Sequence, residues 1–213
     1  MQICYHPDLF HGIGGILWRN FTAMLLPMLT TLDTTLTTAR LRLRTITEHD
    51  LVDLYQVFSD DEVTYFLPYI TWTDMLAAKS WYARVLDDAA ARSALQLVLE
   101  EQASGKVIGT IILFRFDAEC ARAELGYALN REYWHGGYMR EALQALLPHA
   151  FNELGLHRIE AEVDTRNAPS AKLLRSLGFN EEGLMRQRWK MKGEYKDTWF
   201  FGMLAGGGEQ AKS

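Results

Sequence analysis

Cysteine is scarce in this chain. Cys4 and Cys120 are the only two, and neither sits in a CxxC pair or near histidines at metal-ligand spacing. That pattern argues against a disulfide framework and against a structural zinc, and no metal is expected. It suits a reducing, cytoplasmic setting. Basic charge is not in excess: 22 Lys and Arg stand against 27 Asp and Glu, a net charge of −5. Without a basic face, no nucleic-acid partner is expected. A mildly acidic protein instead draws a cationic amine or a basic peptide. Long apolar runs are also missing. The stretch from Leu9 to Leu29 is broken by His11, Arg19, Asn20 and Pro27, whereas a membrane span takes about 20 predominantly apolar residues. A secretion signal would carry positive charge ahead of its apolar stretch, but His6 and Asp8 stand there. No membrane partner is expected. GxGxxG and GxxxxGK[ST] are both absent, which argues against dinucleotide and P-loop nucleotide sites.

What is present suits one globular domain. Of 213 residues, 48% are apolar and 23% charged, enough to bury a core without staples. Residues 1–38 read as an N-terminal extension with a Thr-rich linker, disordered or loosely docked, or as the product of a start placed too early, with Met24 or Met28 as the true start. The domain is expected over 39–205, with a disordered polar tail over 206–213.

Arg40-Leu41-Arg42-Leu43-Arg44 alternates polar and apolar, the period of a half-buried strand. Thr47 then caps a helix with Leu51, Leu54, Tyr55 and Phe58 on one face. Past Pro68, a second helix is expected from Thr73. Leu95–Leu99 and Val107–Phe116 form a hairpin, and Ala123–Leu129 a further strand. A helix over Arg140–Leu154 ends near Gly155. Ile159–Val163 is a strand, Asn167 opens a short helix that Gly178 closes, and Gly183–Met191 pairs with Tyr195–Leu204. The order β-α-α-β-β-β-α-β-α-β-β does not fit a wholly parallel sheet. It fits an α/β class with a mixed, mostly antiparallel sheet, about four helices and one βαβ unit.

Between the strand ending at Leu129 and the following helix lies Trp134-His135-Gly136-Gly137-Tyr138-Met139-Arg140. A strand, a glycine-rich turn and a helix start make an anion-binding arrangement, because inward N–H groups add to the positive helix end. Alone, the two glycines fit an ordinary turn equally well.

Several motifs recur in order over Arg40 to Leu204. They are Glu124-Leu125-Gly126-Tyr127-Ala128-Leu129, then Trp134-x-x-Gly137-Tyr138-x-x-Glu141-Ala142, then Asn167-x-x-Ser170 ending in Leu177-Gly178-Phe179. Together they resemble the GNAT superfamily of N-acetyltransferases. Leu156-His157-Arg158-Ile159 and Tyr195-Lys196-Asp197 are similar to its RimJ and RimL branch, which acetylates ribosomal-protein N-termini. The resemblance implies a sheet with a splayed parallel pair, and acetyl-CoA or coenzyme A as co-substrate. It implies that Leu129, Trp134, His135, Gly136, Gly137, Tyr138, Met139, Arg140 and Asn167 hold the cofactor. The loop would wrap the pyrophosphate, and the Asn167 amide would bond the pantetheine arm. Asn167 equally suits a helix N-cap. Met139 stands where the family has a small residue, a departure within the wrap.

Acetyl transfer needs a neutral amine, donors for an oxyanion and a proton for the leaving thiolate. An α-amine titrates at about 7.7–8.0, so a weak base suffices, with water as an intermediary. Glu124 is the candidate base; otherwise it is an ion-pair partner of Arg122 or Arg158. Glu160 and Glu162 share one strand face and are alternatives as base or amine anchor. Many family members place a Tyr four residues before the Gly-Phe pair, but Leu174 stands there. Ser170 is the substitute acid that the branch suggests; otherwise it bonds backbone in the first helical turn. A backbone N–H near Leu129 is the expected oxyanion donor. Tyr65-Phe66-Leu67-Pro68 falls where the acceptor groove is expected.

The amine acceptor is expected to be a protein N-terminus, with a polyamine, amino acid or antibiotic second. Rival readings are a coenzyme A-binding module without turnover and a surface-interaction domain. The protein is expected to be a monomer or homodimer.

Overall fold

The computed structural model describes residues 35–207. The expectations for the extension up to residue 34, and for the tail beyond residue 207, fall outside the described residues. Eight strands form one sheet in the order β1-β2-β3-β4-β5-β6-β8-β7. They are β1 Leu36–Thr37, β2 Leu41–Thr45, β3 Ala94–Glu101, β4 Val107–Asp117, β5 Arg122–Leu129, β6 Arg158–Asp164, β7 Asn180–Met191 and β8 Glu194–Leu204. The linker expected to run to residue 38 ends sooner, since Leu36 and Thr37 pair with Leu43 and Arg42. The parallel contact is β5 with β6; the other neighbours are antiparallel.

Among the described residues five α-helices flank the sheet: α1 Leu51–Phe58, α2 Asp61–Thr64, α3 Met75–Ala91, α4 Tyr138–Asn152 and α5 Ala168–Ser176. Strand alternation sorts the core into two layers. Leu125, Tyr127 and Leu129 of β5 pack with α4 and α5. Ala128 of the same strand packs instead with α1 and α3. A capping box at Thr47 and Asp50 starts the first helical segment as a 3-10 turn, Glu48–Asp50. Asp74, rather than Thr73, caps α3 by accepting from the Ala77 N–H. The short helix α2 was not expected; the Asp60 side chain caps it at the Glu62 N–H.

The two helices that border the site are fixed at their ends and faces. Helix α4 contains Pro148, which deletes a helical hydrogen bond and costs about 3 kcal/mol. It persists because Met139, Ala142, Leu143, Leu146, Leu147 and Ala150 are buried, and each full-sized apolar side chain among them contributes about 1.5–3 kcal/mol. Helix α5 closes in a Schellman motif: the Gly178 N–H bonds Arg175 O and the Phe179 N–H bonds Leu174 O. Gly178 takes φ +95° there, which is why Gly separates Leu177 from Phe179.

Candidate active site

Strands β5 and β6 pair at Arg122 with Arg158, Ala123 with Ile159 and Glu124 with Glu160, and there the contact stops. Beyond it β5 stays with β4 as far as Leu129, and β6 stays with β8 as far as Asp164. The parallel strands therefore part. On β5 the Asn130 N–H bonds Ile108 O across to β4. Antiparallel pairing alternates direction, so Leu129 turns its N–H and C=O into the gap. Its carbonyl accepts there from Trp134 Nε1 at 2.8 Å.

The loop from Trp134 to Tyr138 closes the wide end of this gap. His135 and Gly137 adopt φ of +62° and +78°, the left-handed turns from which anion-binding nests are built. Gly137 is the N-cap of α4 and no side chain caps the helix, so its first N–H groups point outward unspent. A Cβ on Gly136 would come within 2.9 Å of the Tyr138 ring, so any larger residue there would require that ring to shift.

Arg40 fastens the loop from the far edge of the sheet. Its Nε donates to Glu141 Oε2 at 2.6 Å and its Nη1 to Gly136 O at 3.0 Å, and its guanidinium lies 4.0 Å from the Tyr138 ring centre. Thr38 Oγ1 and the Arg40 N–H donate to Glu141 Oε1. Burial favours the protonated Glu141, but these bonds outweigh it and hold the carboxyl below its usual range. Sequence reading passed over Arg40, because its partner lies 101 positions away.

A cavity of about 770 Å³ runs along the loop, within the range of small-molecule sites. Leu129, Trp134, His135, Gly137, Tyr138, Met139, Arg140 and Asn167 border it. Gly136 does not, and faces Tyr138 and Tyr133 instead. Met139 is fully buried within the apolar core, so its bulk is absorbed by packing. Arg140 and Lys172 add positive charge to its lining, which also includes Glu62, Tyr65 and Phe66. The side-chain oxygen of Asn167 accepts from the Ser170 N–H at 3.3 Å, capping α5.

Neither expected catalytic side chain borders the cavity. Ser170 is fully buried, with Oγ 2.7 Å from the Tyr127 hydroxyl. Burial pushes the Tyr127 pKa up, with the Ser170 bond opposing. Glu124 is 5% exposed and sits at the vertex where the strands part. Its ion-pair partner is Arg115, at 2.6 Å. The expected alternatives, Arg122 and Arg158, both bond Glu160 instead. Burial, above all, pushes the Glu124 pKa up to about 7; Arg115 opposes the rise, and Glu162 and Glu160 add to it. Glu162 is buried and accepts from Arg188 and from Trp189 Nε1. Among the described residues no group of three or more His, Cys, Asp or Glu could hold a metal ion. No helix among them is long and apolar enough to cross a membrane.

A mixed sheet opened between two parallel strands, with a glycine-rich amide loop over the opening, is the architecture that the resemblance to N-acetyltransferases implies. The sequence matches the family described as "Acetyltransferase (GNAT) domain" over residues 40–180. An uncharacterized N-acetyltransferase, p20, from Bacillus licheniformis is 39% identical over 170 residues, 80% of this chain and 96% of that protein. The structure of a putative ribosomal-protein-serine acetyltransferase from Vibrio cholerae aligns at TM-score 0.73 and 27% identity, over 83% of this chain and 100% of that one. RimJ of Mycobacterium smegmatis, solved with CoA-disulfide, aligns at TM-score 0.74 and 25% identity, over 84% and 90%. This chain belongs to the GNAT family of acetyltransferases and is an N-acetyltransferase. Its similarity to the ribosomal-protein branch, RimJ included, agrees with the motifs.

Proposed function

We propose that this enzyme transfers the acetyl group of acetyl-CoA to the N-terminal α-amine of a protein, a ribosomal protein foremost. The observation that carries the reading is the mixed lining of one cavity. Its lining joins the uncapped helix start, Arg140 and Lys172 with Glu62, Tyr65 and Phe66. The first set suits a diphosphate and the second an ammonium group.

Acetyl-CoA supplies the activated thioester. The loop amides from His135 to Arg140 hold its pyrophosphate, and Asn167 bonds its pantetheine arm. The Leu129 N–H, turned into the gap, receives the carbonyl oxygen as negative charge develops; such a donor is worth about 10²–10³ in rate. Glu124 takes the amine proton through water, its raised pKa of about 7 matching a base that works near neutrality. Ser170, backed by Tyr127, gives a proton to the departing thiolate. The family resemblance supports the roles of the loop, Asn167 and Ser170, and the place of Glu124 where the strands part supports its role as base.

A small polycationic amine is the second reading, favoured by the Glu62 carboxylate beside two aromatic rings. The deciding experiment incubates the protein with labelled acetyl-CoA, ribosomal proteins, their N-terminal peptides, and spermidine. Label on an α-amine supports the first reading and label on spermidine alone supports the second. No thiol release with any amine would overturn both.

A further inference from the structure

We propose that Arg115 and Arg188, each delivered by a β-bulge, are positioning residues that hold Glu124 and Glu162 as two separately compensated carboxylates at the parting strands. The inference rests on the acetyl-transfer reading, and it extends the working base into a four-residue clamp.

Pairing between β4 and β5 shifts between Phe114 and Asp117, and Arg115 takes φ +52°. A left-handed conformation is unfavourable for a non-glycine residue, so it is held by its surroundings. In an unbroken strand Arg115 would point to the face opposite Phe114. The bulge brings it to the same face, where its Nη1 reaches Glu124 Oε2 at 2.6 Å.

The same device recurs on β7. Pairing shifts between Met185 and Trp189, and Gln187 takes φ +50°, its N–H held by Asp197 Oδ1 at 2.7 Å. This turn sends Arg188 Nη2 to Glu162 Oε1 at 3.1 Å and Trp189 Nε1 to Glu162 Oε2 at 2.6 Å. The Trp189 ring joins the halves, with the Arg115 guanidinium 5.5 Å from its centre and that of Arg188 at 4.9 Å.

Glu160, the third carboxylate on this face, is occupied by Arg122 at 2.9 Å and Arg158 at 2.7 Å. The charged groups acting on Glu124 are thus Arg115 from β4, Glu160 and Glu162 from β6, and Arg188 from β7. Two buried carboxylates that repel each other cannot both ionise freely unless each has its own cation. The bulges supply one each. Arg115 keeps Glu124 ionisable, and Arg188 with Trp189 keeps Glu162 from repelling it.

The test titrates the folded protein by NMR with carboxyl-labelled glutamate, the Glu124 signal being assigned by its loss in Glu124→Gln. Arg115→Met should raise the Glu124 midpoint by about one pH unit or more, the usual effect of losing an adjacent cation. Arg188→Met should also raise it, and Glu162→Gln should lower it. Arg115→Lys should restore most of the first shift. The acid limb of kcat/KM should move the same way while coenzyme A affinity holds. A Glu124 midpoint that stays fixed in these variants overturns the clamp. If Arg115→Met does not fold, Arg188→Met and Glu162→Gln decide alone. A wild type that acetylates no amine sinks the acetyl-transfer reading, whereas the midpoints still decide the clamp.

Discussion

The hydroxyl of Tyr127 lies 2.7 Å from that of Ser170, and both are buried. Tyr127 stands on β5 and Ser170 on α5, so the bond ties the strand to the helix. Ser170→Ala should strand the Tyr127 hydroxyl and cost about 1–3 kcal/mol, most of it recovered on adding Tyr127→Phe. Chemical denaturation reads this. If Ser170 also protonates the thiolate, the maximal rate falls in the single variant and stays low in the stable double variant. Recovery of rate together with stability would reduce Ser170 to a packing role.

The loop's grip on phosphate can be tested at Gly137. A Cβ there would meet only Arg40 Nη2, at 3.6 Å, so steric conflict is minor. Gly137→Glu should nevertheless abolish coenzyme A binding by calorimetry, because juxtaposed like charges cost several kcal/mol. Gly137→Ala should keep measurable binding, since its penalty is the φ of +78°. Equal affinity in wild type and Gly137→Glu would disprove the cradle.

Arg40 touches the loop at Glu141, Gly136 and Tyr138. It is half-exposed, so one ion pair contributes little to stability. Its weight lies in holding the loop ready. Arg40→Ala should leave the melting temperature nearly unchanged and weaken coenzyme A roughly tenfold, which is about 1.4 kcal/mol. A large drop in melting temperature at unchanged affinity would contradict this.

Glu124 should leave two signatures in pH. As a base it must be ionised, so kcat/KM should rise through pH 7. Glu124→Gln should lose that limb and about 10²–10⁴ in rate. As a buried acid, its folded pKa of about 7 lies above the unfolded value near 4.5. The folded state then binds more protons between those values, so this group's stabilisation is complete below pH 4.5 and is lost as pH rises through 7. Denaturation midpoints of wild type and Glu124→Gln should therefore diverge over that window. Parallel curves would remove the raised pKa.

For the acceptor, Glu62→Gln should raise KM for a cationic amine several-fold. The maximal rate and coenzyme A affinity should hold, the pattern of lost uniform binding. Steady-state kinetics with one peptide and with spermidine will show which acceptor depends on Glu62.

The sequence by itself determined the order of elements apart from the short β1 and α2, together with the glycine-rich turn and the helix that opens at Asn167. Each depends on local chemistry: alternation, turn residues and caps written within a few positions. Alternation also put Glu160 and Glu162 on one face. Only the tertiary structure decided which cation serves which carboxylate. Arg115 rather than Arg122 or Arg158 meets Glu124 because a bulge turns one residue across the sheet, and no residue type announces a bulge. The Arg40 latch and the Arg188–Glu162 pair join residues 101 and 26 positions apart. Such contacts exist only once the strands have chosen their register, a decision that belongs to the packed sheet as a whole.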